Sequence, residues 1–281
     1  MHILLIRHGE SVDNVAGLYA GSRDSPLTNH GVLQIKRLGP HLAKRREIIG
    51  PVKHIFTSDL QRAYQTAEAI AEAQSPSSDD ASSEDQASSK VCRLSELREK
   101  DYGSSEGKKY GMKTGNLDQS DSETHDAMRI RVDRFLDSHL IPIVDKHVSD
   151  HIAIAIAAHG IILGVVLKAL FERFPPRPSL STPQSGSREG PPVFAAWSNT
   201  GVLQAKLELG VPMTESGKGP VVSHEEAHLT IELTNNLDHL AGLKKTRGGI
   251  GSSEFDSRQR TMDSFFNSAS KKRKREETKD S

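Results

Sequence analysis

Arg7, His8, Arg62 and His159 are the residues of this sequence best placed to handle an anion. Arg7-His8-Gly9-Glu10 follows directly on an apolar run, His2 to Ile6. Ala158-His159-Gly160 follows another, Ile152 to Ala157, and Arg62 lies just beyond a third, Lys53 to Thr57. Guanidinium forks donate paired hydrogen bonds to phosphate oxygens. A neutral imidazole among them can attack phosphorus. A nearby carboxylic acid would then protonate the leaving oxygen. Gly9 allows a tight turn and close approach of the backbone to a ligand. These residue types point to phosphoryl chemistry, provided the fold brings the three run ends together.

Short apolar runs alternating with helical patterns predict such a fold. The class is α/β, three layers (α/β/α) around a mostly parallel sheet, whose carboxyl edge is where ligands bind. Thr28 is placed to cap a helix whose buried side is Ile35, Leu38 and Leu42. Ser58 or Asp59 is placed to cap a second, with Ala63, Ala67 and Ile70 on one face and Arg62 in its first turn. A long helix is predicted from about Glu123, with Met128, Val132, Phe135, Leu136, Leu140 and Ile143 on one stripe, kinked or ended by Pro142. Val193–Trp197 and Gly201–Glu208 read as a pair of strands, and Ala227–Leu233 as a last one.

Composition bounds the rest. Of 281 residues only 35% are hydrophobic, so part of the chain is expected outside any core. Residues 74–90, rich in serine and acid, read as a disordered insertion, with further insertions at 175–192 and 210–224. The single cysteine, Cys92, allows no internal disulfide and fits a reducing compartment. No signal peptide is apparent at the start. Residues 152–171 have the length of a membrane span. His159, Lys168 and the alternation of Ile152, Ile154 and Ile156 with alanines fit a buried strand and a buried helix better. No membrane contact is expected.

Five motifs in order resemble the histidine phosphatase superfamily, also called phosphoglycerate mutase-like. They are Arg7-His8-Gly9-Glu10-Ser11 with Asn14; Pro26-Leu27-Thr28 with Gly31 and Gln34; Ser58-Asp59-Leu60 with Arg62 and Thr66; Glu99 four residues before Gly103; and His159-Gly160. The resemblance covers roughly residues 1–240, and the domain is expected to span 1–243. It implies that His8 takes the phosphoryl group, that Arg7, Arg62 and His159 hold it with Gly160 beside them, and that Asn14 adds a hydrogen bond. It implies Glu99 as general acid and then base, with no metal and no cofactor. Glu106 is expected to shape the loop. Tyr19, Ser22 and Arg23 could line the substrate side. The short interval between Gly107 and the long helix resembles the phosphatases more than the mutases. A phosphatase reading therefore leads, with a phosphoglycerate mutase-type transferase as one alternative. A non-catalytic phosphate-site scaffold in a nuclear complex is another. The substrate is not legible.

From about Lys244 the composition turns to glycine, serine and charge, so 244–281 reads as a disordered tail. Within it, Gln259, Met262, Phe265 and Phe266 resemble the PIP box, the peptide that docks on the sliding clamp, proliferating-cell nuclear antigen. In one helical turn Met262, Phe265 and Phe266 fall on one side as an apolar plug. The basic run 271–275, Lys-Lys-Arg-Lys-Arg, fits recognition by a nuclear import receptor. Together they imply a nuclear protein, also present in the cytoplasm.

Overall fold

The computed structural model describes residues 1–74, 90–111, 121–176, 197–209, 227–246 and 249–257. The expected insertions, Gln259 to Phe266 and the basic run 271–275 lie wholly or largely outside these residues.

Six strands form one sheet: β1 (His2–Arg7), β2 (Val52–Ser58), β3 (Val91–Leu94), β4 (Ala153–Ala158), β5 (Val202–Leu209) and β6 (Ala227–Asn236), in the order β3-β2-β4-β1-β5-β6. β1 pairs parallel with β4, and β2 parallel with both β4 and β3; β5 and β6 run antiparallel. The strand pair expected at 193–208 is described only in its second member, β5. Trp197 lies outside any strand, 193–196 are outside the described residues, and β5 is flanked by β1 and β6.

β4 sits centrally and every residue of it is buried. Its two faces differ. Ile154 and Ile156 join Ile3 and Leu5 of β1 in a core with α5 (His125–Phe135), α6 (Ile141–His147) and α7 (Gly160–Arg173). Ala153, Ala155 and Ala157 join Leu4 and Ile6 in a second core with α2 (Asn29–Lys44) and α4 (Gln61–Gln74). The small face lets the second helix layer lie close to the sheet. Each isoleucine on the large face contributes about 1.5–3 kcal/mol by burial. The apolar stretch 152–171 is thus a central strand and a packed helix. Among the described residues no helix is long and apolar enough to cross a membrane.

The predicted long helix is realised in three parts. Thr124 caps α5, one π turn covers Leu136–Leu140, and α6 follows with Pro142 in its first turn. The π turn resets the register, so proline falls where its missing N–H needs no acceptor. Thr28 caps α2 through Gly31 N–H, as its position suggested. The start of α4 is held partly as expected, with Ser58 Oγ accepting Leu60 N–H, and partly by a residue far away in sequence. Asp24, from a distant loop, accepts Gln61 N–H at 2.7 Å, while Asp59 turns to Arg98.

Packed chain also extends beyond Leu243. Asn29 N–H donates to Ser253 O, and Phe255 N–H to Leu27 O. Lys245 pairs with Glu10. The segment 249–257 therefore lies on the start of α2, with Lys245 tied to the residue two beyond His8.

Candidate active site

β1, β2 and β4 run parallel in adjacent positions, so their carboxyl ends open on one edge. Arg7 ends β1 and His8 follows it; His159 follows β4 as the N-cap of α7; Arg62 lies in the first turn of α4 after β2. All four expected groups therefore meet there. The His8 and His159 rings stand 5.0 Å apart, edge to face, and Arg62 Nε donates to His159 Nδ1 at 3.2 Å. His8, Arg62 and His159 are almost fully buried.

The hydrogen bonds fix both imidazole tautomers. His8 Nδ1 faces the Gly9 carbonyl at 2.7 Å, and a carbonyl only accepts. Nδ1 therefore carries the proton and Nε2 the lone pair. In His159, Nδ1 accepts from Arg62, so Nε2 carries the proton. Burial first, and the Arg62 and Arg7 guanidinium charges next, hold the His8 pKa well below the ordinary histidine value. His159 is lowered for the same leading reasons, with His8 adding to them. Both rings are thus neutral at neutral pH.

At this edge, two buried donors have no partner among the described residues: Arg7 Nε and His159 Nε2. Buried polar groups are almost always paired. An anion with several oxygens would satisfy both. Arg7 itself is anchored by its Nη1, which donates to the Trp197 carbonyl.

Arg62 is used differently from the simple fork the sequence suggested. Besides His159, it donates to the carbonyls of Arg23, Ala20 and Gly21. These contacts leave one N–H at Nη1 to reach an anion. Arg62 is therefore an organiser of the 20–23 loop with one N–H to spare.

Glu99 sits at the head of α7. Its Oε1 accepts Lys100 and Ile162 N–H, and its Oε2 accepts Ile161 N–H. A methyl group added at Gly160 would lie 3.9 Å from Glu99 Oε2 and 4.0 Å from Arg7 Nε, so these three border one small space. Arg131 braces the Glu99 segment from behind: it donates to the carbonyls of Glu96, Arg98 and Glu99 and pairs with Glu123. Glu106 shapes the loop, as expected, accepting from the N–H groups of Gly21, Ser22, Arg23 and Tyr102.

Asn14 closes a capping box with Ser11, and its Oδ1 also accepts from Asn199 Nδ2. That leaves its own Nδ2 to donate. Asn199 also donates to His8 O, and Thr200 N–H reaches Arg7 O and His8 O. Asn199 and Thr200 thus hold the His8 loop by its backbone, and the Trp197 carbonyl holds the Arg7 side chain. The residue types of Ser198-Asn199-Thr200-Gly201 give no signal of this role. Arg131 was likewise missed, since it contributes only to loop carbonyls. Tyr19 and Arg23 lie on the loop that Arg62 and Glu106 hold, and Tyr19 contacts Tyr102 and Tyr110.

Known proteins resemble this chain in family and in fold. Residues 3–184 match the family described as the histidine phosphatase superfamily (branch 1). A probable phosphatase of Schizosaccharomyces pombe is 28% identical over 275 residues, covering 93% of this chain and 78% of that protein. A probable phosphoglycerate mutase, GpmB of Klebsiella pneumoniae, is 44% identical over 73 residues, covering 26% of this chain and 32% of that one. Among solved structures, a mycobacterial glucosyl-3-phosphoglycerate phosphatase complexed with VO3 superposes with a TM-score of 0.56 at 18% identity, over 83% of this chain and 98% of that one. Phosphoglycerate mutase from Bacillus anthracis does so with a TM-score of 0.54 at 17% identity, over 86% and 95%. At such identities the structural matches establish the fold.

Proposed function

This chain belongs to the histidine phosphatase superfamily, and on that premise we propose that it is a metal-independent phosphomonoester hydrolase with His8 as nucleophile and Glu99 as acid and base. The observation that carries the reading is the Nδ1 proton of His8 bound to Gly9 O. It leaves Nε2 unprotonated beside two unpartnered donors, Arg7 Nε and His159 Nε2.

The phosphoryl oxygens bind Arg7 Nε, His159 Nε2 and the remaining Arg62 Nη1 proton, with Asn14 Nδ2 donating from the nucleophile loop. His8 Nε2 attacks phosphorus, and the P–O bond to the alcohol breaks. Glu99 delivers its proton to the departing oxygen; Oε2, which takes one backbone bond, keeps a lone pair for it. Water then attacks the phosphohistidine, giving its proton to Glu99. The N–P bond breaks, inorganic phosphate leaves, and His8 and Glu99 return to their starting states. The donors gain most where charge builds on the phosphoryl oxygens.

The test is hydrolysis of p-nitrophenyl phosphate by purified protein, with and without EDTA, beside His8→Ala. Metal-independent turnover, lost in His8→Ala, supports the reading; so does an acid-labile, base-stable phosphoprotein trapped during turnover. Full activity in His8→Ala removes it. Mutase-type transfer to a second hydroxyl is the alternative, and product analysis with 3-phosphoglycerate separates the two. A folded protein that binds phosphate but turns over nothing would be the scaffold instead.

The tail adds a proposed address. Gln259, Met262, Phe265 and Phe266 supply a PIP-box-like plug for the sliding clamp, and residues 271–275 supply an import signal. Calorimetry of a 255–276 peptide against purified clamp, with a Phe265→Ala, Phe266→Ala control, tests the first. Binding weaker than millimolar, or indifferent to the double substitution, removes it. A fluorescent fusion lacking 271–275 tests the second, which fails if that fusion stays as nuclear as the full chain.

A further inference from the structure

With Glu99 as the acid, its carboxyl group marks the alcohol side of the pocket, because the leaving oxygen must meet it. The next residue, Lys100, and Tyr102 line a cavity of about 190 Å³ together with Tyr19, Ser105 and Ser122. The Tyr19 ring lies 4.7 Å from that of Tyr102 and 4.4 Å from that of Tyr110, centroid to centroid. A tyrosine packed against two others on a polar rim is more than a small loop needs to hold its shape. Tyr110 is 56% exposed, so its outer surface is free for a ligand.

The wall is built into the catalytic machinery. Tyr19 N–H donates to Lys108 O, Gly107 N–H to Tyr19 O, and Tyr110 N–H to Gly17 O, so 17–19 and 107–110 lie side by side. Immediately after Tyr19, Arg62 holds the carbonyls of Ala20, Gly21 and Arg23, and Glu106 holds three N–H groups of the same loop. Gly21 packs so tightly that an added Cβ would lie 1.8 Å from Lys100 O. The rings therefore cannot move far without moving Arg62, a phosphate-pocket residue.

The chemistry of the rim favours a flat apolar group over a second anion. Burial raises the Tyr102 and Tyr110 phenols, which stay neutral at physiological pH. Arg23 pairs with Asp13, Arg98 with Asp59 and Arg131 with Glu123, so these guanidiniums are already matched. The Lys100 ammonium stands 5.6 Å from the Tyr102 ring centroid, within cation–π range. Aromatic faces and edges of this kind hold another ring by offset stacking or edge contact.

Building on the hydrolase reading of the site, we propose that the phosphomonoester it accepts carries an aromatic ring on its alcohol side, seated against Tyr19, Tyr102 and Tyr110.

Leaving-group chemistry must be held constant to test this, since aryl esters are intrinsically easier to cleave. Benzyl phosphate and ethyl phosphate, both esters of primary alcohols, do so. The readout is the benzyl-to-ethyl ratio of kcat/KM within each variant of the full chain, which cancels any general loss of active protein. Wild type should prefer benzyl phosphate by about tenfold or more, one ring contact's worth of binding. The ratio should fall toward one in Tyr110→Ala and in Tyr19→Leu, and recover in Tyr110→Phe. A ratio near one in wild type, or one that survives both ring deletions, overturns the proposal. Binding of benzylphosphonate and ethylphosphonate, measured calorimetrically, separates this from the hydrolase reading. A protein that hydrolyses nothing yet binds benzylphosphonate tenfold tighter refutes hydrolysis and keeps the aromatic site. Equal binding refutes the aromatic site.

Discussion

Arg62 Nε donates to His159 Nδ1 across 3.2 Å, and through that bond one guanidinium sets the tautomer of the buried imidazole. The same guanidinium holds three carbonyls of the 20–23 loop. Arg62 is 1% exposed, so its guanidinium depends on these acceptors rather than on water. Burial disfavours its charge, and Glu99 foremost, then Asp24, Asp13 and Glu106, offset that cost. Arg62→Lys keeps the charge but not the fork. The expected result is a loss in kcat/KM of about 10²-fold or more, comparable to removing one preorganised donor. Stability should fall by about 1–3 kcal/mol, from buried carbonyls left unpaired. Steady-state kinetics and thermal melts check both. A lysine variant with near-wild-type kcat/KM would show that charge alone suffices.

Glu99→Gln addresses proton delivery. For alkyl phosphates the loss should be about 10²–10⁴-fold, the usual contribution of a general acid. For p-nitrophenyl phosphate it should be much smaller, because that leaving group departs without help. Some stability should go as well, since an amide nitrogen would face a backbone N–H now bound by carboxylate oxygen. Equal losses on both substrates would move the acid elsewhere. Glu106 is a poor replacement, with its oxygens holding the N–H groups of Gly21, Ser22, Arg23 and Tyr102.

The buried histidines set an acid-side prediction. An unfolded histidine takes a proton below about pH 6.5. Folded His8 and His159, buried beside Arg62 and Arg7, resist it. Below pH 6.5 the unfolded chain therefore binds more protons, and their contribution to stability declines as pH falls; above it they contribute no slope. The melting temperature should drop from pH 7 to pH 5, and less so in a His8→Gln, His159→Gln double variant. Phosphatase activity limited by His8 protonation should likewise persist below pH 6.5. An acid limb centred at or above 6.5 would contradict a neutral, electrostatically depressed nucleophile.

Much of this was legible in the sequence, and for a definite reason. His8, Arg62 and His159 each follow a short β-run, and parallel strands with helical crossovers bring such ends to one edge. The alternation in 152–157 marked β4, and the Thr28 cap marked the start of α2. What was not legible depends on backbone groups rather than residue types. Trp197 holds Arg7 through its carbonyl, Arg131 holds the carbonyls of Glu96, Arg98 and Glu99, and Asp24 caps α4 from a distant loop. No periodicity marks a side chain whose partner is a remote carbonyl or N–H. The π turn at Leu136–Leu140 was hidden for a related reason, because an inserted residue shifts a stripe without erasing it.

Thr200 carries the last prediction. Its φ is 57°, in the left-handed region that a β-branched residue rarely enters. Such strain costs about 1–3 kcal/mol and persists only where the surroundings enforce it. Here they do. Thr200 N–H reaches Arg7 O at 3.0 Å and His8 O at 3.2 Å, its hydroxyl donates to Asn199 O, and the hydroxyl oxygen accepts from His239 Nε2 at 2.9 Å. His239 Nδ1 is already buried without a partner among the described residues. Thr200→Gly removes the strain but also the hydroxyl, leaving a second buried nitrogen of His239 unmatched. That penalty, about 1–3 kcal/mol, should outweigh the backbone relief, so the glycine variant should melt below wild type. Its kcat should fall as well, because the His8 backbone loses a rigid partner. Thr200→Ser retains the hydroxyl and sheds the methyl branch, and should match wild type in both. A glycine variant as stable and as active as wild type would show that neither the hydroxyl nor the strained backbone of Thr200 positions His8.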